Sequence, residues 1–205
     1  MSDVGFLASP EPSAAAQAMF DEDMSDVGYV MNVSRLWAHQ PATVDALFDV
    51  AAMALADQGI SFRQRAILVS AGASALGDSY CSLAWGSKLA GVAGDELAGG
   101  VLRGDDERLT EAEQALARWA RQVARDPNAT SETDIRALQA AGFTDSQIFA
   151  VTVYVAMRVA FSTVNDALGA RPDAELGSNA PQPVVEAVVY GRPIAGRSPE
   201  PTEER

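Results

Sequence analysis

The sequence predicts an all-α domain, and three observations carry that reading. Four short stretches match the capping box that starts a helix. The long apolar segments repeat with a helical rather than a strand period. No βαβ rhythm runs along the chain. With 205 residues, 48% of them apolar, the chain has material for one sizeable core plus tails. We expect about seven or eight helices in residues 19–172, a disordered segment over 1–18 and an extended or disordered tail over 173–205.

The first of these regions holds Pro10, Pro12 and small residues with no periodicity. The capping boxes are Ser61 with Gln64, Thr110 with Glu113, Ser131 with Asp134 (a weaker variant) and Thr144 with Gln147. Gly59 and Gly142 fall where helix C-terminal glycines belong. After Thr110, Ala112, Ala115, Leu116, Trp119, Ala120 and Val123 share one helix face, and Glu111, Gln114, Arg118 and Arg125 share the other. Residues 151–161 are rich in β-branched side chains, but the segment is too long for a strand and reads as a central or interface helix. The tail is punctuated by prolines. Its one apolar stretch, 184–190, could dock on the domain or pair with a neighbour, and its last eight residues, SPEPTEER, should be free in solvent.

Charge and composition exclude several classes of function. A net charge of −13 disfavours nucleic acid and anionic membrane, because both need clustered Lys and Arg. The apolar run 148–164 approaches the length of a membrane span but carries Arg158 in its middle, so it reads as a buried helix. The N-terminus has no basic start and no continuous apolar run, which points to a cytoplasmic protein. A single cysteine allows no intramolecular disulfide and no zinc site built on several thiolates. Gly72 and Gly77 lack the Lys-Ser/Thr end of a phosphate loop. No cofactor or metal is expected.

Chemistry concentrates at Gly77-Asp78-Ser79-Tyr80-Cys81. A helix should end near Gly77, with Asp78 as the N-cap of the next and Cys81 in its first turn. Amides at a helix start support a thiolate, whereas the Asp78 carboxylate opposes one. These effects are of similar size, so elementary electrostatics leaves the thiol open between a reactive centre and an inert buried cysteine. Asp78 is likewise either a base for Cys81 or only a cap. His39, the sole histidine, more simply ends a helix before Pro41 than acts as a base.

This stretch resembles the Cys-X-X-Cys region of the alkylhydroperoxidase D / carboxymuconolactone decarboxylase superfamily. The resemblance extends through Leu89-Ala90-Gly91-Val92 and Asp95-Glu96-Leu97, Leu109-Thr110-Glu111-Ala112-Glu113, the paired late helices around Thr130–Ile148, and Asn165-Asp166-Ala167-Leu168-Gly169. It implies an all-α fold and homo-oligomers, commonly trimers or hexamers. It also implies four catalytic positions, of which Cys81 occupies that of the attacking cysteine. Asp78 stands in place of the resolving cysteine, Ala66 of the relay glutamate and Trp85 of the histidine. A dithiol cycle is therefore closed to this chain. Two readings follow. One is a one-cysteine thiol peroxidase working through Cys81 and Asp78 on a small peroxide, with an external thiol as reductant. The other is a non-redox member, either a scaffold or binding protein or, lower in rank, a decarboxylase-type enzyme.

Overall fold

The computed structural model describes residues 5–196; the SPEPTEER end, expected to be free in solvent, lies outside them. The described residues form eleven α-helices and one 3-10 turn, with no strand among them. Eight of the helices have nine residues or more: α1 (Ala14–Asp26), α3 (Pro41–Leu55), α4 (Phe62–Leu76), α5 (Ser79–Ala93), α6 (Asp95–Arg103), α7 (Glu111–Arg125), α8 (Glu132–Ala140) and α9 (Asp145–Ala167). Three have six residues: α2 (Asn32–Trp37), α10 (Ala174–Asn179) and α11 (Gln182–Ala187). The expected seven or eight matches the long helices; the short ones lack enough turns to show a period.

The capping boxes start the helices where expected. Ser61, Thr110 and Thr144 accept from the amides of Gln64, Glu113 and Gln147, whose side chains reach back to the cap amides. At Ser131 the Asp134 carboxylate takes both the cap amide (2.8 Å) and the hydroxyl (2.7 Å). On α7 the apolar face is buried through Ala115, Leu116, Trp119 and Ala120, and it packs against α4. There Ala66, Ile67, Leu68 and Ala71 are fully enclosed. α9 is the one helix among the described residues that is long and apolar enough to cross a membrane by length and composition. In this fold it is the helix against which α3, α4 and α7 all pack.

Both tails depart from the expected lack of order, while docking on the domain, one of the two alternatives for 184–190, is what the structure shows. Ser13 caps α1 by accepting from the Ala16 amide, so helix begins at Ala14 inside the segment expected to lack order. Ahead of it, the Phe6 amide donates to the Leu168 carbonyl at 2.8 Å. The expected C-terminal tail holds α10 and α11. Pro181 and Pro183 sit at the entry to α11, where a missing N–H costs nothing, so proline there starts a helix rather than preventing one. Val184 is completely buried in the main core, and α11 packs on α5 and α6.

Candidate active site

α4 ends at Gly77, whose left-handed backbone (φ 77°) lets its amide reach the carbonyls of Ala73 and Ser74. The chain then re-enters helix at once. Asp78 is the N-cap of α5, and its Oδ1 accepts from the Cys81 amide at 2.9 Å. Cys81 thus stands in the first turn. It is 2% exposed, and Asp78 is wholly enclosed.

The tail closes this corner from behind. The Ser79 hydroxyl donates to the Arg192 carbonyl at 2.8 Å, and the Tyr190 hydroxyl to Ser82 Oγ at 3.1 Å. A side chain at Gly191 would strike the Gly77 carbonyl, so backbone lies on backbone here. Asp78 Oδ2 is buried and makes no hydrogen bond among the described residues. Such an orphaned acceptor costs about 1–3 kcal/mol, and more when charged.

In front, Cys81, Trp85 and Lys88 recur along one face of α5 and line a cleft of about 930 Å³. The opposite wall is α9, which presents Tyr154, Arg158 and Phe161. α3 adds Val44 and Phe48, and α4 adds Arg65. Arg158 Nη2 donates to Cys81 Sγ at 3.6 Å. Its guanidinium also stands over the rings of Phe161 (5.1 Å), Trp85 (5.2 Å) and Phe48 (5.4 Å). Phe161 in turn stacks on Trp37, whose indole N–H donates to Asn165 Oδ1 at 2.8 Å. The aromatic cluster therefore fixes the guanidinium beside the sulfur.

These contacts resolve the electrostatic balance that sequence left open. Burial pushes the Cys81 thiol far up, the Asp78 charge pushes it further, and Arg158 opposes both without overcoming them. That balance favours the neutral thiol. A thiolate at this position requires something that removes the Asp78 charge, by giving it a proton, or strengthens the Arg158 contact.

The two candidate residues are therefore adjacent. His39 is not with them: it ends the α2 turn, and its Nε2 lies 3.1 Å from the Ala8 carbonyl, outside the cleft lining. Arg158 is the residue that sequence reasoning passed over. The signal was present, since a charged side chain inside a long apolar helix needs an enclosed polar partner. Nothing in the sequence said that the partner is Cys81.

No family model and no curated protein matches the chain. Among solved structures, it is similar to an uncharacterised peroxidase-related protein with an alkylhydroperoxidase AhpD core from Ralstonia eutropha JMP134, at 24% identity and a TM-score of 0.75, over 86% of this chain and 96% of that one. A peroxidase-related protein from Silicibacter sp. TM1040 aligns with 19% identity and a TM-score of 0.75, over 85% and 95%. The debrominase Bmp8, as a cysteine-to-alanine variant in complex with 2,3,4-tribromopyrrole, aligns with 14% identity and a TM-score of 0.68, over 84% and 95%. The chain therefore has the all-α alkylhydroperoxidase D-like fold.

Proposed function

We propose that this protein is a one-cysteine, thiol-dependent oxidoreductase in which Cys81 attacks a small peroxide, Asp78 moves the proton and Arg158 holds the thiolate. The observation that carries the reading is the Arg158 guanidinium 3.6 Å from Cys81 Sγ at the wall of an open cleft. Asp78 Oδ2 has no competing bond and takes the thiol proton. The thiolate attacks one oxygen of the hydroperoxide, so the S–O bond forms as the O–O bond breaks. Asp78 returns its proton to the departing alkoxide, leaving an alcohol and a Cys81 sulfenic acid. An external thiol displaces water from the sulfenic acid to give a mixed disulfide. A second external thiol releases the small disulfide and restores Cys81.

The test is consumption of cumene hydroperoxide with excess small thiol, together with trapping of the sulfenic acid by a dimedone-type reagent. We expect turnover and a trapped adduct in the native chain and neither in Cys81→Ser. Equal consumption by the two proteins, with no adduct, would remove the redox reading. The debrominase likeness puts 2,3,4-tribromopyrrole in the same assay, where Cys81-dependent bromide release would redirect the choice of electrophile.

One observation favours a second reading: the enclosed thiol is held neutral. A binding protein built on the same cleft would retain ligand affinity after Cys81→Ser and never yield the adduct. Self-association belongs to the proposal as well. Phe149 (72% exposed) and Met53 (73%) leave large apolar side chains in solvent, which supports a homo-oligomer, trimer or hexamer. Light scattering that gives a monomer would remove it.

A further inference from the structure

The cleft in front of Cys81 carries positive charge that the protein does not neutralise. Arg65, Lys88 and Arg158 enter it from α4, α5 and α9, and none has a carboxylate within ion-pair distance among the described residues. The Nε atoms of Arg65 and Arg158 are buried without a hydrogen-bond partner. Acids do line the same cleft. Asp45, Asp49 and Glu22 are exposed at its rim, and Asp23 takes up the Met31 amide at 2.9 Å. The two arginines thus lie deeper than these rim acids, with Arg158 beside the sulfur, while Lys88 is exposed and the enclosed Asp78 stands behind Cys81 rather than in the cleft lining.

Each cation is also faced by rings. Arg158 stands over Phe48, Trp85 and Phe161; Lys88 Nζ lies 4.8 Å from the Trp85 centroid; Arg65 lies 5.5 Å from that of Phe62. Desolvation first, and then the nearby Arg158 charge, hold Lys88 below the ordinary lysine value, with Asp26 opposing.

We propose that this cleft takes a planar aromatic ligand bearing a single negative charge, its ring laid among Phe48, Trp85 and Phe161 and its acidic group on Arg158. A ring supplies the apolar contact that a 930 Å³ aromatic-walled cleft can reward, and one anion compensates the guanidinium that neither the neutral thiol nor any protein carboxylate does. Two anionic groups would bring the second toward the acidic rim. The proposal rests on the thiol reading for the ligand's place in a reaction, where it would be the organic part of the hydroperoxide that Cys81 reduces to the alcohol. Its binding needs no chemistry.

Calorimetric titration of the full-length Cys81→Ser protein separates the two. The probes are 2-naphthoate and its neutral isostere 2-naphthamide. The expected result is 2-naphthoate binding tighter by about tenfold or more, the scale of a charge-assisted contact. Arg158→Gln, checked for an unchanged circular dichroism spectrum, should erase that preference while leaving the amide's affinity in place. Lys88→Met should reduce it by a smaller factor and serves if Arg158→Gln does not fold. Equal affinities for the two probes, or failure of both to bind, would overturn the ligand assignment even if peroxide turnover were intact. A clear naphthoate preference in a protein without peroxide turnover would keep the assignment and sink only the redox reading.

Discussion

The α4–α7 side of the bundle and its α5–α9 side both enclose arginines, and they treat them in opposite ways. On the first side, Arg63 makes a two-pronged contact to Glu113 (2.5 and 3.1 Å), and Glu113 also completes the capping box of α7. Arg121 is held the same way by Asp106 (2.6 and 2.9 Å) and by the Val101 carbonyl. Both of these arginines have an opposite charge, and the geometry is that of a finished structural joint. On the second side, Arg158 meets three rings and a thiol and no carboxylate. Rings give a cation about 0.5–2 kcal/mol each, less than a buried partner of opposite charge would. The incomplete compensation around Arg158, at the wall of the cleft, marks where the molecule has left room for something else.

If that division is real, the two sides can be broken separately. The largest expected effect is on the cleft side. Cys81→Ser should lower thiol-dependent peroxide turnover by about a hundredfold or more, with a modest drop in thermal midpoint because a smaller, more polar hydroxyl replaces a buried sulfur. Arg158→Gln should cost about tenfold or more and should shift alkylation of Cys81 by iodoacetamide to higher pH. The sign follows from the charge: the guanidinium favours the thiolate, so its loss drives an already raised thiol higher. Alkylation at unchanged pH would mean that the 3.6 Å contact carries no electrostatic weight.

The scaffold side should show the reverse. Leu116→Ala, at a fully buried position between α4 and α7, should cost about 2–5 kcal/mol in denaturant unfolding. Glu113→Ala should cost about 1–3 kcal/mol through loss of the cap and of the Arg63 contact. Neither should move the Michaelis constant for peroxide in protein that remains folded. A Glu113 variant with an altered pH profile for turnover would join the two sides that the charge pattern separates.

The same division governs how much could be read in advance. The scaffold side was legible because its signals are local: a cap and its reciprocal partner lie three residues apart, and a helix face repeats over one or two turns. The Asp78–Cys81 relation was legible for that reason too, being an N-cap contact over three residues. Arg158 reaches Cys81 across 77 residues and is aimed by rings on α3, α5 and α9, so no spacing rule could connect them. The tails failed for another reason. Composition treats prolines as breakers wherever they fall, but Pro181 and Pro183 occupy helix-entry positions, and Val184 is held in place by α5 and α6 rather than by its neighbours in sequence.

The smallest expected effect reports on the Asp78 charge from outside the cleft. Asp166, half-buried near the end of α9, has its carboxyl pushed up to about 7, first by burial and then by Asp78, with Arg192 opposing. The unfolded chain ionises near 3.8, so between that value and about 7 the folded protein binds the extra proton. Asp166 therefore contributes stability at acid pH that is lost as pH rises through about 7. Asp166→Asn cannot ionise and should flatten this slope: urea midpoints of the two proteins should lie close together below about pH 3.8, separate as pH rises from there to about 7 with the variant higher, and keep that separation above it. Solvent screening at a half-exposed group keeps the gap small. Repeating the comparison in an Asp78→Asn background should shrink the gap further, because the one charge that joins burial in keeping Asp166 protonated is then gone. An undiminished gap would mean that Asp78 carries no negative charge in the folded protein, and the base assigned to Cys81 would have to be sought elsewhere.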